Sequence, residues 1–374
     1  MRFVLFVHSL LSDWNHGNAH FLRGITAELL ARGHDVRAFE PAGGWSKANL
    51  LDGHGQAAWD DIASAFPGLS STEYDLDSLD LDAALDGADV VIVHEWNDPA
   101  LVARLGQRRA AGGRFRLLFH DTHHRSVTAP AEMSRYDLSA YDGVLAFGEA
   151  VRQRYLREGW ANRAWTWHEA ADTRHFRPMP EMAKTGDLVW VGNWGDDERT
   201  AELHEYLLGP VKALGLSADV HGVRYPDEGR LALAASGIKY RGWLPNHRAP
   251  EVFARYRLTV HVPRRPYVEA LPGIPTIRVF EALACGIPLV SAPWQDAEGL
   301  FRVGKDLRMV RSGKEMTAAL KELLNDPAAA AEQARCGLET IRSRHTCAHR
   351  VDELLAVCAE LAAPGSFLAL AEVQ

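Results

Sequence analysis

The chain alternates short apolar strands with amphipathic helices in two successive sets. The first set predicts strands at residues 3–8, 35–40, 90–94, 115–120 and 144–147, and the second at 188–191, 218–220, 258–262 and 288–290. Continuous apolar strands separated by helices form parallel sheets that are buried on both faces. The predicted fold class is therefore α/β, with two doubly wound parallel sheets.

A proline-rich break separates the two sets. Pro178 and Pro180 are followed by a polar run that ends at Gly186, where the alternation of strands and helices starts again. A length of 374 residues also suits two domains, because domains average roughly 150 residues. We predict a first domain at residues 1–180 and a second from residue 181, with a ligand cleft between the carboxyl ends of their strands.

Composition excludes several classes of partner. The chain has 41 Lys+Arg against 49 Asp+Glu, and this net charge of −8 is the wrong sign for a protein that coats nucleic acid. No apolar stretch approaches ~18 residues, so we expect no transmembrane segment. The four cysteines contain no CxxC pair, which favours reduced thiols. We expect a soluble, cytoplasmic protein with no nucleic-acid partner.

A short predicted helix carries the clearest candidate binding site. Pro275 can start a helix and Gly286 can end one, which places the helix at residues 276–285. The first amides of a helix have no acceptor within the helix, and they attract anions. We therefore expect an anion site at the backbone of Thr276 and Ile277.

Two charged side chains share one face of this predicted helix. Arg278 lies in the first turn, where its guanidinium would add a bidentate donor to a phosphate. Glu281 follows one turn later, and its carboxylate could accept both hydroxyls of a ribose while the helix start holds a diphosphate. An internal Arg278–Glu281 ion pair is the alternative, and the spacing alone does not separate the two.

A polar segment follows the predicted strand at residues 115–120. His120, Asp121, His123 and His124 could bind Zn²⁺ or Fe²⁺. The spacing differs from the helical HExxH pattern, however, and the sequence offers no clear second cluster to complete a metal shell. We interpret the segment as a polar wall of the cleft, with His120 best placed at the strand end.

The loop after the first strand lacks the GxGxxG pattern, so binding of NAD by the standard fingerprint is unsupported. Gly17 and Asn18 in this loop precede a predicted helix, whose N-terminus attracts anions. A simple N-cap by Asn18 is the alternative.

Several segments resemble known glycosyltransferase motifs. The sequence EALACGIPLV at residues 281–290 resembles the EAMA-x-G-x-P-V-V signature of the group-1 class, and DTRHFRP at residues 172–178 resembles its D-x-x-x-F-x-P motif. Residues 191–193 with Arg199 resemble the phosphate-binding loop of that class, and residues 241–245 resemble its nucleobase loop. The chain thus resembles the GT-B fold glycosyltransferases of the group-1, retaining, family-4-like class, most closely the CgeB-like spore-maturation branch.

The resemblance implies a role for each matching residue. It implies a donor diphosphate and ribose site at Arg199, Gly273, Thr276, Ile277, Arg278 and Glu281, a nucleobase site at Trp243 and Leu244, and an acceptor or phosphate loop at Gly17 and Asn18. It also places His120 against the donor sugar, as a catalytic candidate.

Two departures from the class affect these assignments. Gly273 stands eight positions before Glu281, where the class usually has an acidic residue, and we take Glu269 as a second catalytic candidate in that loop. The class also usually pairs an arginine with a lysine on the diphosphate. No lysine lies between Lys184 and Lys212, so arginines must hold the diphosphate.

The resemblance further implies two Rossmann-like domains, with the donor domain at residues 181–348 and a C-terminal helix at residues 349–374 that packs back on the first domain. It implies transfer of a sugar from a nucleotide-diphosphate sugar to an unspecified small-molecule, glycan or protein acceptor. Retention of configuration is expected, and no metal or other cofactor. A sugar-nucleotide 2-epimerase of the same fold and a non-catalytic sugar-nucleotide-binding protein are the alternatives.

Overall fold

Two parallel β-sheets organise the chain. The structure is a computed structural model that describes residues 1–195 and 197–363. The first sheet contains β1 (Arg2–Phe6), β2 (Asp35–Pro41), β3 (Thr72–Tyr74), β4 (Val90–His94), β5 (Arg116–Asp121), β6 (Gly143–Ala146) and β7 (Ala164–Thr166). The second sheet contains β8 (Gly186–Val191), β9 (Ala218–His221), β10 (Ile238–Tyr240), β11 (Tyr256–His261), β12 (Leu289–Ser291) and β13 (Arg308–Met309).

Helices connect these strands. In the first half of the chain they are α1 (Ala19–Ala31), α2 (Trp45–Ala65), α3 (Leu81–Ala84), α4 (Pro99–Ala110), α5 (Arg125–Thr128), α6 (Pro130–Met133) and α7 (Glu149–Arg157). In the second half they are α8 (Thr200–Leu203), α9 (Gly209–Leu214), α10 (Asp227–Ala235), α11 (Ala249–Ala254), α12 (Arg265–Glu269), α13 (Ile277–Ala284), α14 (Gly313–Asn325), α15 (Pro327–Arg344) and α16 (Cys347–Glu360). None of the helices in the described part of the chain combines the length and apolar character needed to span a bilayer.

The two sheets share one type of topology. The strand order is β3-β2-β1-β4-β5-β6-β7 in the first sheet and β10-β9-β8-β11-β12-β13 in the second, and neighbouring strands are parallel. Each order reverses at its earliest strand, which is the doubly wound arrangement. The predicted α/β fold with two such sheets is confirmed. The strands that the sequence pattern missed, β3, β7, β10 and β13, are short and lie at the sheet edges.

Side chains of the first sheet enter two different cores. In β1, Phe3 and Leu5 pack in the cluster that contains α1, while Val4 and Phe6 pack in a cluster on the opposite face. Successive side chains of a strand point to opposite faces of a sheet, so an all-apolar strand must be covered on both sides. This explains why the central strands read as continuous apolar runs.

The core on the α1 face continues into the second domain. It contains Phe21 of α1, Val189 of β8, Phe280 of α13 and Val351 of α16, all fully buried. A shared apolar core of this kind joins the two sheets and fixes how their edges face each other.

The last described helix, α16, returns the chain to the first domain. It packs against α1, where the Arg32 guanidinium pairs with Asp352 at 2.5 Å. The indole N–H of Trp167 donates to the carbonyl of Arg350 at 2.8 Å. Residues 364–374, the end of the helix predicted at 349–374, lie outside the described residues.

The contact between α1 and α16 is close enough to be tested by adding one methyl group. A Cβ at Gly24 in α1 would lie 2.4 Å from Cys347 Sγ and 2.9 Å from Asp172 Cβ. Overpacking of this kind costs about 1–3 kcal/mol, so Gly24→Ala should lower the free energy of unfolding by that amount in a urea titration. Gly53→Ala in α2 is the control, because a Cβ at Gly53 meets open space and alanine favours a helix. Equal stability of the two variants would contradict the packing.

Candidate functional site

A cleft of about 570 Å³ lies between the carboxyl ends of the two sheets. His8 after β1 and Thr122 after β5 line one wall, while Gly192 after β8 and Val262 after β11 line the other. A crevice at the carboxyl ends of doubly wound strands is the usual position of a ligand in such folds. The fold therefore presents its strand-end loops to one shared space.

Helix α13 begins at this cleft. Thr276 has extended backbone and precedes the helix, whose first residue is Ile277, and both residues line the cleft. The rest of α13 is anchored by side chains such as Val279 and Phe280, which are fully buried in the shared core. The carboxyl group of Glu169 lies near this helix start, where the N–H of Ile277 lowers its pKa. A rigid helix start with its first amides at a cavity is an anion-binding arrangement.

Three guanidinium groups surround this helix start. Arg199 lies in the loop after β8 and donates to the carbonyls of Val262 at 2.9 Å and Asn193 at 2.7 Å. Arg264 donates to the side-chain oxygen of Asn193 at 3.0 Å, which brings it beside Arg199. Arg278 projects from the first turn of α13, and all three arginines line the cleft.

The charge of Arg199 is poorly compensated. Burial, together with the smaller effects of the Arg264 and Arg278 charges, lowers the pKa of its guanidinium to about 9. Within the described residues the hydrogen bonds of Arg199 go to neutral oxygens, and its Nε has no partner. A bound anion would relieve this mutual repulsion, since an opposite charge favours the charged form.

The carboxylate of Glu281 is fully buried between the two domains. One of its oxygens accepts from Asn246 Nδ2 at 2.7 Å and lies 3.2 Å from His20 Nδ1, and the other pairs with Arg278. Burial alone would raise the pKa of this carboxyl, but Arg278, His20 and Asn246 outweigh burial and hold the pKa below its usual value. The ion pair considered as an alternative from the sequence is thus present, and the ribose role of Glu281 stays a prediction.

His20 connects Glu281 to the first domain. The N–H of Asp172 donates to His20 Nε2 at 2.8 Å, which assigns the proton of the neutral ring to Nδ1, facing Glu281. The ring of Phe176 packs edge-on against His20 with centroids 4.2 Å apart. Asp172 and Phe176 both belong to the motif at residues 172–178, so this motif positions His20.

Asn246 makes the corresponding link from the second domain. Its N–H donates to Asp13 Oδ2 at 3.0 Å, and its side-chain oxygen accepts from Arg23 at 2.9 Å. Arg23 and Asp13 lie 3.4 Å apart, and all three residues are buried. Asn246 therefore bridges the Asp13–Arg23 pair of one domain and Glu281 of the other.

Most of the site residues predicted from the sequence come together in the cleft lining. They are Gly17, Asn18, Arg199, Trp243, Leu244, Thr276, Ile277 and Arg278. Asn18 occupies the N-cap position of α1 without capping it, because its side chain donates to Thr122 Oγ1 instead. The individual roles of these residues remain predictions.

His120 lies beneath the cleft and does not line it. Its side chain is fully buried, and its ring packs against those of Phe21, His94 and Trp167. Neither ring nitrogen has a hydrogen-bond partner within the described chain. Burial lowers the pKa of this imidazole to about 3. The expectation of a polar side chain at the cleft wall does not match this position, and a contact with the donor sugar stays a prediction.

Glu269 also lies away from the cleft lining. It is the last residue of α12, and its side chain is exposed to solvent. The structure therefore gives Glu269 no contact with the helix start at Ile277. Tyr267 is buried on one side of this helix, and Glu269 therefore points to solvent on the other side. This is why Glu269 does not lie in the cleft, as a catalytic candidate would.

Gly273 is not in the cleft lining either, and the structure explains why no acidic side chain occupies this position. Its φ of +90° lies in a region that glycine adopts far more readily than other residues. A Cβ there would stand 2.7 Å from Glu298 Oε1. Glu298 in turn accepts from the N–H of Glu149 at 3.0 Å and lies 2.9 Å from His168 Nε2. The Glu298 carboxylate therefore fills the space that an acidic side chain would need.

The polar segment after β5 points in several directions. Asp121 accepts from the Tyr155 hydroxyl at 2.8 Å and from the N–H of His123 at 3.0 Å, while His124 Nδ1 lies 3.0 Å from Thr128 Oγ1. Nowhere in residues 1–195 and 197–363 are three or more His, Cys, Asp or Glu side chains grouped to hold a metal ion. His123 and His124 line the cleft, as the polar-wall interpretation expects.

Sequence reasoning missed Arg264 of the guanidinium cluster and three further residues of the site. Glu169 lines the cleft, and His20 and Asn246 hold Glu281. Glu169 lies shortly after β7 and three positions before the motif at residues 172–178. A carboxylate between the end of a strand and a recognised motif could have been identified from the sequence as a site candidate. Neither His20 nor Asn246 carries such a signal, because each acts across the domain interface.

Comparison with known proteins adds a family match in the second domain. Residues 199–356 match the model of a family described as glycosyl transferase-like. This segment contains Arg199, Arg264, Arg278 and Glu281. No curated protein sequence matches the chain significantly.

Solved structures with the same architecture cover nearly the whole chain. Sucrose-phosphate synthase from Thermosynechococcus elongatus aligns over 96% of this chain and 98% of its own, with a TM-score of 0.65 and 13% identity. HepE from Anabaena, solved with UDP and glucose, aligns over 96% and 100%, with a TM-score of 0.68 and 15% identity. An alpha-glucosyltransferase solved with UDP and DNA aligns over 96% and 99%, with a TM-score of 0.67 and 13% identity.

The fold is GT-B. At such low identity these neighbours establish the architecture alone, and they confirm the predicted arrangement of two Rossmann-like domains about a cleft. The family match over residues 199–356 supports a glycosyltransferase, and the GT-B fold agrees with it.

The buried position of His120 has a measurable consequence for stability. Its pKa is about 3 in the folded protein, whereas an unfolded histidine titrates near ~6.5, so between these values the unfolded state binds more protons. Stability should therefore fall as the pH falls, and His120 should contribute a loss of about 2 kcal/mol between pH 7 and pH 5. We expect His120→Leu to remove that share of the pH dependence in urea titrations at the two pH values. Parallel losses in the variant and the wild type would show that His120 is accessible to protons in the folded state.

Proposed function

We propose that the chain transfers a sugar from a nucleotide-diphosphate sugar to an acceptor hydroxyl, without a metal and with retention of the anomeric configuration. The observation that carries the proposal is the convergence of Arg199, Arg264 and Arg278 at the start of α13. A diphosphate fits this arrangement, because its oxygens can accept from helix amides and from planar guanidiniums at the same time.

The same arrangement supports the chemistry of transfer. When the bond between the anomeric carbon and the diphosphate breaks, negative charge grows on the leaving group and positive charge grows on the sugar. Fixed donors at Arg199, Arg278 and the amide of Ile277 would stabilise the leaving diphosphate without having to reorganise. The arginines would supply the positive charge that a divalent metal supplies in other enzymes.

Retention follows if the leaving phosphate itself accepts the proton of the incoming hydroxyl. In this step the oxygen of the acceptor forms a bond to the anomeric carbon on the face from which the diphosphate leaves. The hydroxyl proton passes to a phosphate oxygen, so the step balances without another base. Cationic donors around the phosphate, as at Arg199 and Arg264, hold that oxygen in place during the transfer.

The nucleoside would lie along the second domain. Trp243 and Leu244 line the cleft beside the predicted base position, and the carboxylate of Glu281 is the predicted acceptor for the ribose hydroxyls. Glu281 already accepts from Asn246 and lies next to His20, so ribose hydroxyls would replace one of these donors. Donor binding would therefore be coupled to the contact between the domains.

The acceptor would enter from the first domain. Gly17 and Asn18 line that wall, and the position of Gly17 is close to α13, since a Cβ there would stand 3.4 Å from Ile277 Cγ2. The indole of Trp45 at the same wall is 40% exposed and stacks on His8 with ring centroids 4.9 Å apart. This wall is open enough to receive a glycan, a small molecule or a protein side chain.

A uridine donor is the first one to test, because two GT-B neighbours were solved with UDP. We also propose a cytoplasmic location. All four cysteines are buried and unpaired in the described residues, which suits a reducing compartment.

The experiment that tests the function has two steps. Native mass spectrometry of the purified protein against UDP-, GDP- and dTDP-sugars identifies the donor, and incubation of that donor with an acceptor library followed by NMR assigns the anomeric configuration of the product. A product with retained configuration supports the proposal, and an inverted product overturns the retaining mechanism. Release of an epimerised sugar indicates a 2-epimerase, and binding without turnover indicates a binding protein.

The diphosphate role of Arg199 gives a sharper prediction. Arg199→Gln removes a charged donor, so we expect the Kd for UDP to rise by about 10- to 100-fold in isothermal titration calorimetry, equivalent to ~1.5–3 kcal/mol. Arg308→Gln is the matched control, because Arg308 on the edge strand β13 pairs with Glu322 at 2.8 Å and is not part of the cleft lining. UDP affinity that is equal in both variants would remove Arg199 from the donor site, provided that both keep the thermal stability of the wild type.

A further inference from the structure

Glu169 places a second carboxylate at the start of α13, from the opposite domain. It lies shortly after β7, lines the cleft and is only 3% exposed. Glu169 Oε1 has no hydrogen-bond partner in the described chain, and the carboxyl group lies near enough to the start of α13 for the N–H of Ile277 to lower its pKa. A buried carboxylate with an unused oxygen is costly unless another group completes its hydrogen bonds.

The charges around Glu169 are mixed. Glu281 and Arg278 face it from α13, and Tyr267 faces it from α12. Burial raises the pKa of Glu169 to about 8, with a further upward contribution from the Glu281 carboxylate. Arg278 and the N–H of Ile277 act in the opposite direction but do not cancel these effects. Glu169 is therefore a carboxyl group that changes charge close to neutral pH.

Glu169 and Ile277 both line the cleft, so a donor diphosphate at the helix start would lie beside the carboxyl group of Glu169. Two anions side by side in a buried site repel each other strongly, because water is excluded there. We propose that Glu169 is a donor-binding residue that carries a proton while the diphosphate is bound. The protonated carboxyl then donates its O–H to the bound ligand through the oxygen that has no partner.

This inference rests on the proposed function, and it predicts the pH dependence of donor binding. Below pH 8 Glu169 is already protonated in the donor-free protein, so binding takes up little or no proton. Above pH 8 the donor-free protein carries the carboxylate, and binding must take up one proton. The Kd for UDP should therefore rise with pH above 8. It should be about tenfold higher at pH 9 than at pH 7, because one pH unit above the pKa only about one tenth of the Glu169 carboxyl groups still carry the proton.

The test compares the wild type with Glu169→Gln, which imitates the protonated carboxyl in size and hydrogen bonding. UDP binding is measured by calorimetry at pH 7, 8 and 9. At pH 9 the measurement is repeated in two buffers of different ionisation enthalpy, and the difference in the observed heat gives the number of protons taken up on binding. We expect the variant to match the wild type at pH 7 and to bind about tenfold more tightly than the wild type at pH 9. Arg199, whose pKa is about 9, is present in both proteins and cancels in this comparison.

Two controls separate the possible outcomes. Glu40→Gln changes another buried carboxyl group whose pKa is raised by burial. Because Glu40 accepts from the hydroxyl of Ser9 and the N–H of Leu10, away from α13, this variant should keep the wild-type pH dependence of UDP binding. Wild-type UDP affinity that is constant from pH 7 to pH 9 overturns the inference whether or not Glu169→Gln folds. Strong UDP binding with the same pH dependence in the wild type and Glu169→Gln also overturns it while leaving the proposed function intact. Absence of binding for every nucleotide at every pH overturns both.

Discussion

The buried carboxylate of Glu281 is the interaction on which the geometry of the cleft depends. A fully buried carboxylate is tolerated only when it is paired and hydrogen-bonded. Its partners come from both domains, with His20 on α1 and Arg278 on α13. The residues that orient His20 belong to the motif at 172–178, at the end of the first domain. The requirement to satisfy one carboxylate thus places two helices and the interdomain segment in a fixed relation.

That fixed relation makes a cationic site possible in a chain whose net charge is −8. Arg199 and Arg264 share the side-chain oxygen of Asn193, and Arg278 is held by Glu281, so the three guanidiniums stay close without a full set of counter-charges. The ion pair of Arg264 with Glu198 at 2.7 Å offsets part of their repulsion. Charges arranged before a ligand arrives can stabilise a developing negative charge without further reorganisation, and this is the main electrostatic route to catalysis.

The sequence predicted what depends on local patterns. The central strands are marked by continuous apolar runs, and the helix at 276–285 by Pro275 and Gly286, so the helix differs from the observed Ile277–Ala284 by one residue at each end. The edge strands β3, β7, β10 and β13 carry too few apolar residues to show a pattern. The burial of His120 and the surface position of Glu269 depend on which face of the strand or helix packs against the core. The predicted boundaries of a strand or helix do not determine which face that is. Contacts across the domain interface, such as His20 with Glu281, have no local signal at all.

Gly273 and Glu169 together show how a carboxyl group reaches the start of α13. A side chain at Gly273 would collide with Glu298, whose carboxylate is already committed to the N–H of Glu149 in the first domain. The loop before α13 therefore cannot contribute a carboxylate, and the one at the helix start comes instead from Glu169 in the other domain. Its distance from Ile277 is set by the domain interface. Because Glu281 and its partners maintain that interface, the position of the carboxylate at the helix start depends on the same buried charge that holds the cleft together.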